Sequence, residues 1–486
     1  MRKFGLKFVL GVLLLLFLFP LRTRAAAQDS TAALRPHEKQ FFPIGVWDNI
    51  PLNRFGELRR AGFNIIVAGG PGNVGLNQAI LDSAGAHDVK VFLMATWCEY
   101  YCAPVSRLDA DSVILGRLAV DLYNYSRFPS FYGWYLRDEP GEGEIDRLAY
   151  VQGLARRADP IRPKLINLYP VSISYIKDSP VTDYRQFLRS FTDKLMPDMI
   201  CFDFYPFQTG STSLDRLEEN LSLVRNESVR TGTPFWYITQ SSGWQRSVPV
   251  GLEFEWKDVL RVPNEVEMRT AVGLALVYGA KGILYFRYTP CKEGNVRFTG
   301  MVDSRETDDQ KLRFTEDGYF PEKFSFFNAG EELLWPNPTY FRVKLINNWL
   351  LKLSPVLSRL DSKALFRLSE EGTPAAKGST SPVQSGLVTG EARYRTSGTV
   401  AVKLDKGEVT VGEFRDGGKI VMGAVNKTLT KTSAITAAFK GKSGRLIDLY
   451  SGKEIKLKES GDKDFPLYFK LQLDPGETRF FRVDVS

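Results

Sequence analysis

The chain has 486 residues, 43% of them hydrophobic, with 64 Lys and Arg against 56 Asp and Glu for a formal charge of +8. Arg2, Lys3, Lys7, Arg22 and Arg24 all precede residue 28; without them the balance is 59 to 56, or +3, which argues against a nucleic-acid or anionic-membrane partner. Four cysteines are too few for a disulfide scaffold, and His37 and His87 fit no metal-ligand pattern and no Ser-His-Asp triad, so neither a metal nor a cofactor is expected.

The first residues read as an address rather than as structure. A basic start at 1–7, an apolar run at 8–21 and a small-residue stretch ending Ala25-Ala-Ala27 have the layout of a secretory signal cleaved near Ala27. A retained anchor is the alternative, but the run is short for a membrane span and no cysteine follows it to take a lipid. The expectation is a secreted or periplasmic protein with no stable membrane insertion. Cys98 and Cys102 are close enough in sequence to pair in such a compartment.

From residue 41 to about 288, short apolar runs alternate with longer amphipathic ones. The apolar runs are 42–49, 63–70, 90–96, 131–140, 164–170, 199–207, 234–243 and 282–288. Helices are expected at 52–61, 111–125, 143–157, 213–231 and 264–278. Eight strands, each followed by a helix or a long loop, predict a (β/α)8 TIM barrel over 41–360, closed by a helix at about 340–360. A doubly wound sheet is the alternative, but Gly69-Gly-Pro-Gly72 lacks the spacing and helix entry of a dinucleotide site. Residues 361–393 include a Gly-, Ser-, Thr- and Pro-rich stretch and read as a linker or surface loop. Short alternating runs over 394–486 predict a small antiparallel β-sandwich.

The densest signal is Phe131-Tyr-Gly-Trp-Tyr-Leu-Arg-Asp-Glu-Pro140. β-Forming residues fill it and Pro140 cannot continue a ladder, so Asp138 and Glu139 fall at the C-terminal lip of the fourth strand, where barrels do their chemistry. Other strand ends supply Trp47 and Asp48, Trp97, Asn167 and Tyr169, Asp203 and Tyr205, Gln240, and Arg287 with Tyr288, while Trp244 and Trp256 follow the seventh strand. Aromatic faces with carboxylates and amides between them suit a carbohydrate substrate, whose C–H faces stack while its hydroxyls hydrogen-bond. Trp134 and Trp236, inside their strands, are expected in the core.

Trp134-Tyr-Leu-Arg-Asp-Glu-Pro140, Phe202-Asp-Phe-Tyr-Pro206 and Tyr278-Gly-Ala-Lys-Gly-Ile-Leu-Tyr-Phe286 resemble the clan A glycoside hydrolases. They are most similar to a bacterial branch with Asp-Glu-Pro where other members carry Asn-Glu-Pro. The ending Leu473-Asp-Pro-Gly-Glu-Thr-Arg-Phe-Phe481 is similar to accessory domains of such enzymes. The resemblance implies Glu139 as general acid and places Asp138 where the sugar-binding Asn stands. It also implies a Glu nucleophile at the end of strand seven, where this chain has Gln240, which cannot form a covalent glycosyl-enzyme. Three readings stay open. Asp203 could activate water in an inverting hydrolase, Glu253 or Glu255 could supply a nucleophile from a loop, or the barrel could bind glycans without cutting them.

Overall fold

In the computed structural model, the described residues are 41–70, 72–95, 97–98, 107–171, 183–250, 253–304, 334–370 and 394–486. The segment read above as a secretory signal, and Cys102, lie outside them. All eight expected barrel strands form: β1 (Ile44–Trp47), β2 (Ile65–Ala68), β3 (Lys90–Met94), β4 (Phe131–Asp138), β5 (Lys164–Leu168), β6 (Ile200–Phe204), β7 (Phe235–Gln240) and β8 (Ile283–Phe286). They pair in parallel around one closed ring, with β8 returning to β1. Alternation along each strand divides its side chains between two clusters. Ile65, Val67, Phe92, Tyr135, Leu165, Cys201, Trp236, Ile238 and Leu284 pack together in one, while the intervening residues join the larger cluster that includes the helices.

Among the described residues, eight helices surround the ring: α1 (Phe55–Arg60), α2 (Val74–Ala86), α3 (Arg107–Tyr125), α4 (Ile145–Ala158), α5 (Tyr184–Leu195), α6 (Leu214–Thr231), α7 (Glu265–Tyr278) and α8 (Pro338–Leu357). Helices α2 and α5 were not among the sequence expectations. The signal for α5 is nevertheless present: Tyr184, Phe187, Leu188, Phe191 and Leu195 recur at helical spacing, and the Asp183 side chain caps the N-terminus by accepting from Arg185 and Gln186. Helix α7 is buried almost all round, because one side meets the barrel and the other meets the C-terminal sheets. A side chain at Gly273 would place its Cβ 1.9 Å from Thr478 Oγ1, so the close approach of helix and sheet depends on that glycine.

The C-terminal region is a β-sandwich of two antiparallel sheets. One sheet contains strands Asp361–Ser369, Glu408–Asp416, Lys419–Asn426, Thr478–Val485, Gly444–Asp448 and Glu454–Lys456, and the other contains Val400–Lys406, Ser433–Phe439 and Leu467–Leu473 with two short edges. The expected start at 394 is corrected here, since residues 361–369 form a full strand paired with Glu408–Asp416. Buried Ala364, Phe366 and Leu368 tie that strand to the sandwich core, and the adjoining polar tract masked this apolar period in the sequence.

A second element was expected only as long loops. After β6, β7 and β8 the chain forms a six-stranded antiparallel sheet, in the order Cys291–Glu293, Val296–Phe298, Trp244–Val250, Glu253–Leu260, Phe207–Gln208 and Ser211–Thr212. Its strands come from three loops that leave C-terminal strand ends, so it stands on the side of the barrel that holds the site.

Candidate functional site

Two features of β4 aim its carboxylates. A register shift between Tyr135 and Arg137 inserts one extra residue relative to β5, which brings Asp138 opposite Asn167. Glu139 then takes φ +43°, a left-handed conformation that costs a non-glycine residue roughly 1–2 kcal/mol, while its N–H still donates to the Asn167 carbonyl at 2.8 Å. Strain of this kind persists where the surroundings over-determine it, often at functional sites. Pro140 follows at once and stops the strand.

Asn167 joins the acids. Its Nδ2 donates to Asp138 Oδ1 at 3.0 Å and reaches Asp203 Oδ1 at 3.4 Å, and the Tyr135 hydroxyl donates to the same Asp138 oxygen at 2.7 Å. Asp138 is exposed, Glu139 half-buried and Asp203 buried at 7% exposure. Burial pushes the Asp203 carboxyl well up, and the charges of Glu139 and Asp138 push it further, against hydrogen bonds from Tyr205 and Asn167. Three carboxyl groups from β4 and β6 therefore feel one another. The two arginines at neighbouring strand ends face other acids: Arg137 pairs with Glu144 at 2.8 Å and Arg287 with Asp48 at 2.8 Å.

An aromatic wall runs beside the acids. Trp47 meets Tyr135 edge-on with centroids 6.0 Å apart and Phe286 at 5.7 Å; Phe286 stacks on Tyr205 at 5.7 Å and meets Phe298 edge-on at 5.3 Å; Phe298 stacks on Trp244 at 5.9 Å. Tyr135, Phe286 and Phe298 escaped the sequence reading. Tyr135 and Phe286 could have been found by carrying the inward alternation to the strand ends, whereas Phe298 arrives on the unforeseen sheet. Three buried polar atoms here have no hydrogen-bond partner among the described residues: Asn167 Oδ1, Tyr169 Oη and Trp244 Nε1. Donors and acceptors are both present among them, which is what a polyhydroxyl ligand can satisfy.

Other expected site residues have different surroundings. Trp97 is fully buried against Trp134, edge to face at 5.6 Å, in the large core cluster. Tyr288 is also fully buried; its hydroxyl donates to Glu57 and its N–H to Asp48. Arg287 follows a cis peptide from Phe286 and is held by Asp48, whose Oδ2 also accepts from the Tyr288 and Thr289 N–H groups. The three therefore brace the ring through β1 and β8. Glu255 is exposed on the hairpin opposite Val248, four residues beyond Trp244 and so about 13 Å along the ribbon. The side chain of Glu253 lies outside the described residues.

Gln240 is fastened to backbone. Its Oε1 accepts from Phe207 N at 2.9 Å, and its Nε2 donates to the carbonyls of Arg261 at 2.8 Å, Phe207 at 3.1 Å and Ser242 at 3.3 Å. A carboxylate there would face three carbonyl oxygens with nothing to donate. Gln240→Glu is expected to lower stability by about 3 kcal/mol or more, read from denaturant unfolding, and to create no retaining activity.

Comparison with family models and with curated protein sequences finds no match. Solved structures do match. A protein titled "Glycoside hydrolase" aligns over 92% of this chain and 93% of its own, at 13% identity and TM-score 0.47. The β-galactosidase of the psychrophile Marinomonas ef1 aligns over 66% and 63%, at 12% identity and TM-score 0.43. A chitinase from Chromobacterium violaceum ATCC 12472 aligns over 51% and 94%, at 10% identity and TM-score 0.37. Likenesses this distant carry nothing about activity; the residues themselves must.

Proposed function

We propose that this protein is a secreted glycoside hydrolase that cleaves an O-glycosidic bond of an oligo- or polysaccharide, with Glu139 as general acid and Asp203 as the base that activates water. The observation that carries the reading is the trio of mutually interacting carboxyls at the ends of β4 and β6, set beside an aromatic wall with unsatisfied buried donors and acceptors. Glu139 protonates the departing glycosidic oxygen. Asp203 takes a proton from water as the water oxygen attacks the anomeric carbon. Its raised pKa makes it a stronger base than an ordinary carboxylate, provided it is ionised when substrate binds. Asp138, held by Tyr135 and Asn167, is placed to take a sugar hydroxyl.

Because the amide of Gln240 replaces a strand-seven carboxylate and is tied to backbone, direct attack by water is favoured over a covalent intermediate. The first product is expected to carry inverted anomeric configuration, read by proton NMR before mutarotation; a retained anomer would remove Asp203 as water-activating base. The same Gln240 supports a second reading, a barrel that binds glycans without hydrolysis. Glycan binding with no release of reducing ends would favour it. Export rests on the sequence of residues 1–27 and is tested by N-terminal sequencing of protein recovered from the culture medium or periplasm. No helix among the described residues is long and apolar enough to cross a membrane.

A further inference from the structure

The sheet beyond the barrel mouth presents a pair of cations next to the aromatic wall. Arg246 and Lys257 are directly opposed in the antiparallel pairing of Trp244–Val250 with Glu253–Leu260, so their side chains leave the same face with Cβ atoms about 4.5–5.5 Å apart. Both are exposed, and neither has an ion-pair partner among the described residues. Glu255 shares that face by register but pairs with neither, and Asp258 accepts from Gln245 on the other face at 2.8 Å. Like charges placed opposite each other across strands are destabilising unless an anion lies between them.

This face is continuous with the site. The Arg246 guanidinium sits over Trp244, 5.7 Å from its ring. Trp244 stacks on Phe298, Phe298 meets Phe286, and Phe286 stacks on Tyr205, which hydrogen-bonds Asp203. The indole N–H of Trp244, on the ring beneath Arg246, is buried and has no acceptor among the described residues. Arginine is the side chain best shaped to take a carboxylate or sulfate through two parallel bonds, and a lysine opposite supplies a second positive charge.

From this arrangement we infer that Arg246 and Lys257, with the Trp244 N–H, form a subsite for a sugar carrying an anionic substituent, a carboxylate or a sulfate. The assignment rests on the glycan reading above and narrows its substrate class. The mature chain's near-balanced charge does not oppose it, since the selectivity lies in two side chains and not in a basic surface.

The test separates binding from cleavage. Calorimetric titrations would use Glu139→Gln protein, which binds without turnover, against oligogalacturonate, sulfated chondroitin oligosaccharides and neutral cello-oligosaccharides. The expected result is preference for one anionic ligand, affinity that falls as salt rises, and a loss of about 10- to 100-fold in the Arg246→Gln/Lys257→Gln double variant. Partial recovery in Arg246→Lys would mark charge as the cause, and both cations are exposed, so the variants should fold. The oligogalacturonate and chondroitin arms distinguish carboxylate from sulfate. Anionic binding that depends on Arg246 and Lys257, without hydrolysis by the wild type, would leave the inference standing and remove the hydrolase reading. Tight binding or cleavage of neutral sugars only, unchanged in the double variant, would overturn the inference and leave the hydrolase.

Discussion

Glu139→Gln is expected to lower kcat on the substrate by about 100- to 10,000-fold while leaving binding in place. Glutamine keeps the size and the hydrogen-bonding oxygen of the side chain but has no proton to give to the departing sugar. The loss should be smallest for substrates with an activated aryl leaving group, which need little protonation, and largest for natural linkages. That split is the measurement to make, because a merely structural defect would depress both alike. Asp203→Asn is expected to cost a comparable factor by removing the base. It also carries a pH signature. Burial and the neighbouring Glu139 and Asp138 raise the Asp203 carboxyl, and a base works only when ionised. Activity should therefore fall, as pH decreases, through a value above the ordinary carboxylate pKa of about 4. An acid limb at the ordinary value would show that Asp203 is not the group being read. Because the acids titrate together, the limb belongs to the cluster.

The second large effect concerns stability. Glu218 on α6 is fully buried where the sandwich meets the barrel, and receives Arg367 at 3.0 Å, Lys427 at 3.1 Å, Thr410 Oγ1 at 2.7 Å and Tyr278 Oη at 3.2 Å. Burial alone would raise its carboxyl, but Lys427 and Arg367, with the Thr410 hydroxyl, hold it below the usual range. Glu218→Ala removes the centre of the network and leaves the buried Thr410 and Tyr278 hydroxyls without their shared acceptor, an expected loss of about 3–5 kcal/mol. Glu218→Gln should cost less, because Asp215 and Glu408 still neutralise Lys427 at 2.7 and 3.2 Å and the amide can keep the Thr410 bond. The depressed pKa also fixes the pH dependence. In the unfolded chain Glu218 titrates near 4.3, so its stabilisation is complete above that value and is lost as pH falls through the lower folded value. Thermal unfolding of wild type and Glu218→Gln should therefore converge on acidification. Parallel curves would show that the charge of Glu218 contributes nothing there.

How much was written in the sequence follows from the range of the forces involved. Strand positions are local: β-forming runs bounded by Gly and Pro placed all eight barrel strands, and Pro140 placed Asp138 and Glu139 at a strand end. The sandwich was legible in the same way, except for its first strand, hidden beside a polar tract. What each strand-end side chain touches is not local. The extra residue in β4 sets Asp138 against Asn167, and a bond from β8 back to β1 occupies Arg287 with Asp48. The fit of the packed core buries Trp97 and Tyr288, and the loop sheet covering the end of β7 fastens Gln240. By itself, then, the chain determined the barrel, the sandwich and the position of the β4 carboxylates, because a two-residue period and a proline act over a few residues. Only tertiary structure decided that Asp203 shares Asn167 with Asp138 and that Phe286 joins Trp47 and Tyr205 in one aromatic row, because those contacts join residues far apart in sequence through a register that no single strand encodes.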